Sequence, residues 1–169
     1  MKRSMFGAAV VAVVAMAVSV SGPARASEAK GPAGSELGGK VLASYYEMAA
    51  ALVADSTAGV AEKAAKVAAD TGAAAKAAGV TAAEKAALEA VSAAAGKVSG
   101  KDLAALREQF KSFSKAMDGY LRASGTPGWS LYYCPMADGY WLQAAEPVAN
   151  PYYGKAMLRC GDKVAKLAD

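Results

Sequence analysis

The residues with the sharpest chemistry in this chain are four sulfur side chains near its C-terminus, in Cys134-Pro135-Met136 and in Met157-Leu158-Arg159-Cys160. Pro135 biases the residue before it toward an extended backbone, where side chains two apart project to the same side, so Cys134 and Met136 are expected to face one way. In a helical turn residues three apart share a face, which would align Met157 with Cys160. If the two segments meet, two thiolates and two thioethers converge, and ligands that soft select Cu(I) over harder ions. The chain has no histidine. Structural zinc wants four Cys or His ligands and Cu(II) prefers imidazole, so two cysteines alone serve neither. Lys155 and Arg159 are at hand to offset the charge of an ion held by two thiolates. The face of Trp141 is a candidate cover for that ion, although a buried core indole is the plainer reading.

A disulfide is the rival use of the same cysteines. An exported domain with an even cysteine count usually pairs them, and closing the loop from Cys134 to Cys160 would contribute about 3.5 kcal/mol on the chain-entropy estimate. The flanking methionines count against it, since a disulfide has no need of neighbouring thioethers. Met48 and Met117, in contrast, fall on helix faces and read as core. Both uses stay open on the sequence.

Enzyme chemistry finds no footing. Without histidine there is no ordinary triad base, and Cys134 and Cys160 are too far apart for a C-x-x-C redox motif. Ser112-Phe113-Ser114-Lys115 matches S-x-x-K but lacks the S-D-N and K-T-G partners of acylating serine enzymes. Asp138, Glu146 and Asp162 are scattered singly, as solvated surface charge. Gly38-Gly39 precedes a helix without the rest of a phosphate loop. The expectation is a protein that is not an enzyme.

The elements that must position the sulfur come next. Lys2 and Arg3, an apolar run from Met5 to Val20, and Ala24-Arg25-Ala26 read as a cleavable secretory leader over residues 1–26. The run is shorter than a bilayer span and is ended by Gly22-Pro23. The mature chain would begin near Ser27, periplasmic or secreted, with no membrane attachment. Lys2, Arg3 and Arg25 leave with the leader and no acid does, which takes the net charge from +4 to about +1 and removes any argument for a nucleic-acid partner. Residues 27–36 read as a disordered tether. Helices are expected over Leu37–Ala54 and Thr57–Ala78, after a Thr81/Glu84 capping box, and from Ser99 or Asp102 through the stripe Leu103, Leu106, Phe110, Phe113, Met117 and Leu121. The Gly125-Thr126-Pro127-Gly128 run stops the last. The expected fold is all-α: an antiparallel four-helix bundle over residues 37–162, with a short, irregular, aromatic-rich cap from about residue 125 and a tail over 163–169. Within the cap, Leu131–Cys134 and Tyr140–Gln143 read as short extended pieces.

Tyr133-Cys134-Pro135-Met136, Trp141-Leu142, Asn150-Pro151-Tyr152-Tyr153-Gly154, Met157 and Cys160-Gly161 together resemble the signature of a bacterial secreted family of unassigned function. Tyr45, Leu52 and Asp55 are similar to its N-terminal pattern. That family occurs alone or fused to the periplasmic adaptor (membrane-fusion) subunits of heavy-metal efflux pumps. The resemblance implies copper and silver handling, with Cys134, Met136, Met157 and Cys160 as candidate ligands for Cu(I) or Ag(I), and an efflux adaptor or another periplasmic protein as partner. It implies no catalytic activity. The alternative from another class is a structural or interaction module, stapled by Cys134 to Cys160, that docks on such a partner.

Overall fold

The structure is a computed structural model that describes residues 32–166. The expected leader, the first residues of the tether and residues 167–169 lie outside the described residues. Four helices, α1 (Pro32–Val53), α2 (Val60–Ala74), α3 (Ala82–Ala95) and α4 (Leu103–Ser124), pack in chain order, with α4 returning against α1. Their ends follow local chemistry. Thr81 and Glu84 exchange side-chain and backbone hydrogen bonds in a capping box, Asp102 caps α4 by accepting from Ala105 N at 2.7 Å, and Gly125 ends it in the left-handed region. The first helix begins at Pro32 rather than Leu37, so 32–36 is helical and not tether. A proline suits a first helical position, because its missing N–H would find no partner there anyway.

The fold is not all-α. The segment after α4 is a three-stranded antiparallel sheet, β1 (Ser130–Cys134), β2 (Gly139–Gln143) and β3 (Asp162–Lys166), in the order β2-β1-β3. Both expected extended pieces are strands. The third strand runs through what was expected to be tail: Asp162-Lys163-Val164-Ala165-Lys166 has almost no apolar alternation, and its Val164 is 50% exposed. It is a strand because β1 has a second edge to fill, with Tyr133 opposite Asp162 and Ser130 opposite Lys166.

Helices and sheet share one core, in which Tyr45, Phe110 and Phe113 from the bundle meet Trp141, Leu142 and Tyr152 from the cap. The Tyr45 ring stacks on Phe110 with centroids 4.9 Å apart. Its hydroxyl, fully buried, lies 2.7 Å from Ser114 Oγ and accepts the N–H of Leu142 at 3.1 Å. Because β2 is an edge strand, that N–H would otherwise be a buried orphan. Tyr152 closes the same junction, its hydroxyl donating to the Tyr140 carbonyl. Among the described residues no helix is long and apolar enough to cross a membrane.

Tyr45→Phe keeps the ring and strands the Leu142 donor. It is expected to cost about 1–3 kcal/mol, read as a lower urea midpoint at unchanged m-value; an unmoved midpoint would show that the hydroxyl does not join the two parts.

Candidate functional site

Cys134 is the last residue of β1, and its partner across the hairpin is Gly139. Pro135 to Asp138 form the turn, with Asp138 N donating to Pro135 O at 3.3 Å and Asp138 in the left-handed region. On the other side, the short 3-10 helix η1 (Gly154–Met157) leads into a turn in which Cys160 N donates to Met157 O at 3.0 Å. The β1–β3 register does the rest. Tyr133 lies opposite Asp162, so one step further Cys134 meets the Cys160-Gly161 corner. Gly161 has φ +128, and the Trp141 ring and the Tyr133 carbonyl fill the space a Cβ would need. The two sulfurs end 3.0 Å apart as free thiols, Cys134 fully buried and Cys160 half-buried.

The two thiols are not alike. Burial works against charge on Cys134. Hydrogen bonds from the Cys160 thiol, the Ala137 amide, the Asn150 side chain and the Met136 amide outweigh it and hold Cys134 below the ordinary thiol value. Cys160 is pushed up, first by its hydrogen bond to Cys134, then by burial and by the Cys134 and Asp162 charges. Of the two, Cys134 is therefore the one that gives up its proton first.

The structure brings the cysteines together, with Met136 in the turn after β1 and Met157 at the end of η1. Because β1 stops at Cys134, no strand alternation carries Met136 to that side; Met136 sits in the turn, 63% exposed, with its carbonyl bonded by the Tyr153 hydroxyl at 2.9 Å. Met157, at the end of η1, is half-buried. Arg159 turns its guanidinium to the Val148 carbonyl, and Lys155 is exposed. Trp141 is core: it stacks on Tyr132 at 5.4 Å and donates from Nε1 to Gln143 Oε1 at 3.3 Å. Among the described residues no three His, Cys, Asp or Glu side chains converge. A groove of about 410 Å³ between α1 and the end of β2 has walls that include Tyr46, Val53, Leu142 and Pro147, with no sulfur and no charged side chain.

Residues that the sequence reading left aside hold the loop in place. Arg107 on α4 donates to Asp55 Oδ1 at 2.6 Å, to Leu52 O at 2.8 Å and, through Nε, to Pro151 O at 2.9 Å. Asp55 stands just past the end of α1 at φ +59, and its other oxygen accepts from Lys155 N at 3.4 Å. Gly154, at φ +53, lies so close to this pair that a Cβ would fall on the Asp55 carboxylate and the Arg107 guanidinium. Only Asp55 carried any sequence signal, through the family pattern; Arg107 is one helical arginine among many charges.

The family described as a protein of unknown function (DUF3347) matches residues 41–127. That span runs from within α1 past the end of α4 and stops before the sheet. Neither the curated proteins nor the solved structures give a match.

Two expectations follow from these geometries. The Arg107 hydrogen bond holds the Asp55 carboxyl below its usual value, against the smaller effect of burial. A carboxyl lowered in the folded state stabilises it above the unfolded value, about 3.9, and that stability is lost as pH falls through the folded one. Asp55→Asn should therefore unfold at lower urea than the parent at pH 7, the gap closing below about pH 4; a gap that persists in acid would mean that packing, not the ion pair, is at work. Separately, ultraviolet thiolate absorbance of the reduced protein should rise in two steps straddling the ordinary thiol value, and in Cys134→Ser the upper step should fall back toward it. Two superimposed ordinary steps in the parent would refute the asymmetry of the two thiols.

Proposed function

From the premise that this chain belongs to the DUF3347 family of proteins of unknown function, we propose that it captures a soft monovalent ion, Cu(I) or Ag(I), and buffers it or hands it over in the periplasm. The observation that carries the reading is the pair of free sulfurs 3.0 Å apart, one of them buried and held toward thiolate. A thiolate keeps roughly 2.3 Å from a first-row metal ion, so an ion entering between the two would part them by about 1–1.6 Å, a small displacement at half-buried Cys160. The ion takes the place of the thiol protons. Met136 and Met157 supply thioethers, and the exposed Met136 is the side chain that meets an arriving ion first. Such an all-sulfur set favours Cu(I) and Ag(I) over harder ions.

The periplasmic location rests on the leader-like residues 1–26, and the partner, an efflux adaptor or another envelope protein, on the resemblance of the C-terminal signature. The role is non-catalytic. The same separation favours a second reading, because the sulfurs need close by only about 1 Å to form a disulfide: a stapled module that docks on that partner.

One series of measurements separates the two. Thiols are counted on protein isolated under native conditions from copper-fed and copper-free cells, and the reduced protein is then titrated with Cu(I) against a chromogenic chelator. Capture predicts reactive or metal-protected thiols and competition for one ion per chain that is lost in the Cys134→Ser, Cys160→Ser double variant. Zero thiols in both cultures, no competition, or competition unchanged by the double substitution removes the capture reading.

A further inference from the structure

Asn150 is the one fully buried polar side chain between the loop that clamps onto the helices and the turn that carries Cys160, and each of its four polar groups is used. Its Oδ1 accepts the N–H of Tyr152 at 2.8 Å and of Tyr153 at 3.3 Å. Its Nδ2 donates to the Cys160 carbonyl at 2.8 Å. Its backbone N–H donates to Leu158 O at 2.9 Å, and its carbonyl accepts from Gly154 N at 3.1 Å. Two amides converging on one side-chain oxygen settle which way the carboxamide points, since the flipped form would set donor against donor. The next residue, Pro151, is tied to α4 by Arg107. A chain of hydrogen bonds therefore runs from α4 through Asn150 to the Cys160 main chain, and the same side chain also hydrogen-bonds the Cys134 sulfur, which the hairpin holds from its other side.

We propose that Asn150 is the positioning residue of the sulfur pair: its Nδ2 holds the Cys160 main chain where the two sulfurs meet, and so sets how readily they join. The side chain has two halves with separate duties. The oxygen folds the loop as an Asx turn, and the nitrogen reaches out of the loop to the cysteine. A residue that served the loop alone would need only the oxygen. The inference rests on the dithiol described above and holds whether the pair's use is an ion or a disulfide.

Asn150→Asp divides the halves, keeping an acceptor for Tyr152 and Tyr153 and replacing the Nδ2 donor by an oxygen that faces the Cys160 carbonyl. Asn150→Ser does so without adding charge, its hydroxyl still able to accept from Tyr152 N in an ST turn. The measurement is the thiol–disulfide equilibrium of the full protein in glutathione buffer. Glutathione disulfide takes two electrons from the dithiol, the new S–S bond joins Cys134 to Cys160, and the two protons pass to two released glutathione thiolates. In variants that keep the parent circular dichroism, the equilibrium should shift about tenfold or more toward the dithiol, the scale of one fixing hydrogen bond lost, and in parallel Cu(I) competition should weaken. An equilibrium within twofold of the parent in either folded variant overturns the proposal, and so does loss of folding in both, which would make Asn150 a core residue with no separate hold on the pair. If the parent binds no Cu(I) and the equilibrium still shifts, the metal reading falls and the positioning role stands.

Discussion

A buried hydroxyl, that of Tyr45, is the point on which the two halves of this structure are joined. A small sheet with an edge strand against helices leaves main-chain groups facing a dry interior, and each must find a partner or cost on the order of 1–3 kcal/mol. Tyr45 supplies the partner for Leu142 N and meets Ser114 of α4 on its other side. Tyr152 serves the next outward group of β2, the Tyr140 carbonyl. The helices thus do more than cover the sheet; they finish its hydrogen bonding, and through β2 they fix the hairpin whose corner is Cys134.

The second anchor works on the opposite cysteine. The loop from Asn150 to Gly154 buries Tyr152 in the core and is held besides by charge and by main-chain bonds: Arg107 spans Leu52, Asp55 and Pro151, and Gly154 tucks under the pair. The two cysteines are therefore placed by two attachments to the same helices, one through Tyr45 to Cys134 and one through Arg107 to Cys160. Both attachments reach helical residues inside the family match, 41–127, although neither cysteine lies within it.

This division explains what could be read from the residues in order. The stripe on α4, the Thr81 capping box and the two strands of the hairpin are local patterns, and each stands where its pattern put it. The convergence of Cys134 and Cys160 was legible as a possibility, because both segments carry sulfur beside turn-forming residues. What escaped is long-range. β3 has no pattern of its own and is recruited by the free edge of β1. The Arg107–Asp55 pair joins residues 52 positions apart, with nothing local to mark either as a partner of the other. Asn150-Pro151 reads as a turn, and nothing in that dipeptide says that the amide reaches a cysteine. Met136 was expected in the same strand as Cys134, but β1 ends at Cys134 and Met136 stands two residues on, in the turn.

The asymmetry of the two thiols bears on what such a pair is suited to. An enzyme that exchanges disulfides with other proteins presents its low-pKa thiolate to solvent, as the nucleophile, and keeps the resolving thiol behind it. Here the order is reversed: Cys134, the thiol held below its ordinary value, is buried behind turn amides, and Cys160, the one pushed up, is the more accessible of the two. An incoming disulfide would meet the poorer nucleophile. An incoming soft cation meets no such obstacle, for it is bound by displacing protons from the thiols themselves. That difference fits the proposed retention of an ion better than it fits thiol exchange, and Met136, two residues from the buried sulfur, is exposed.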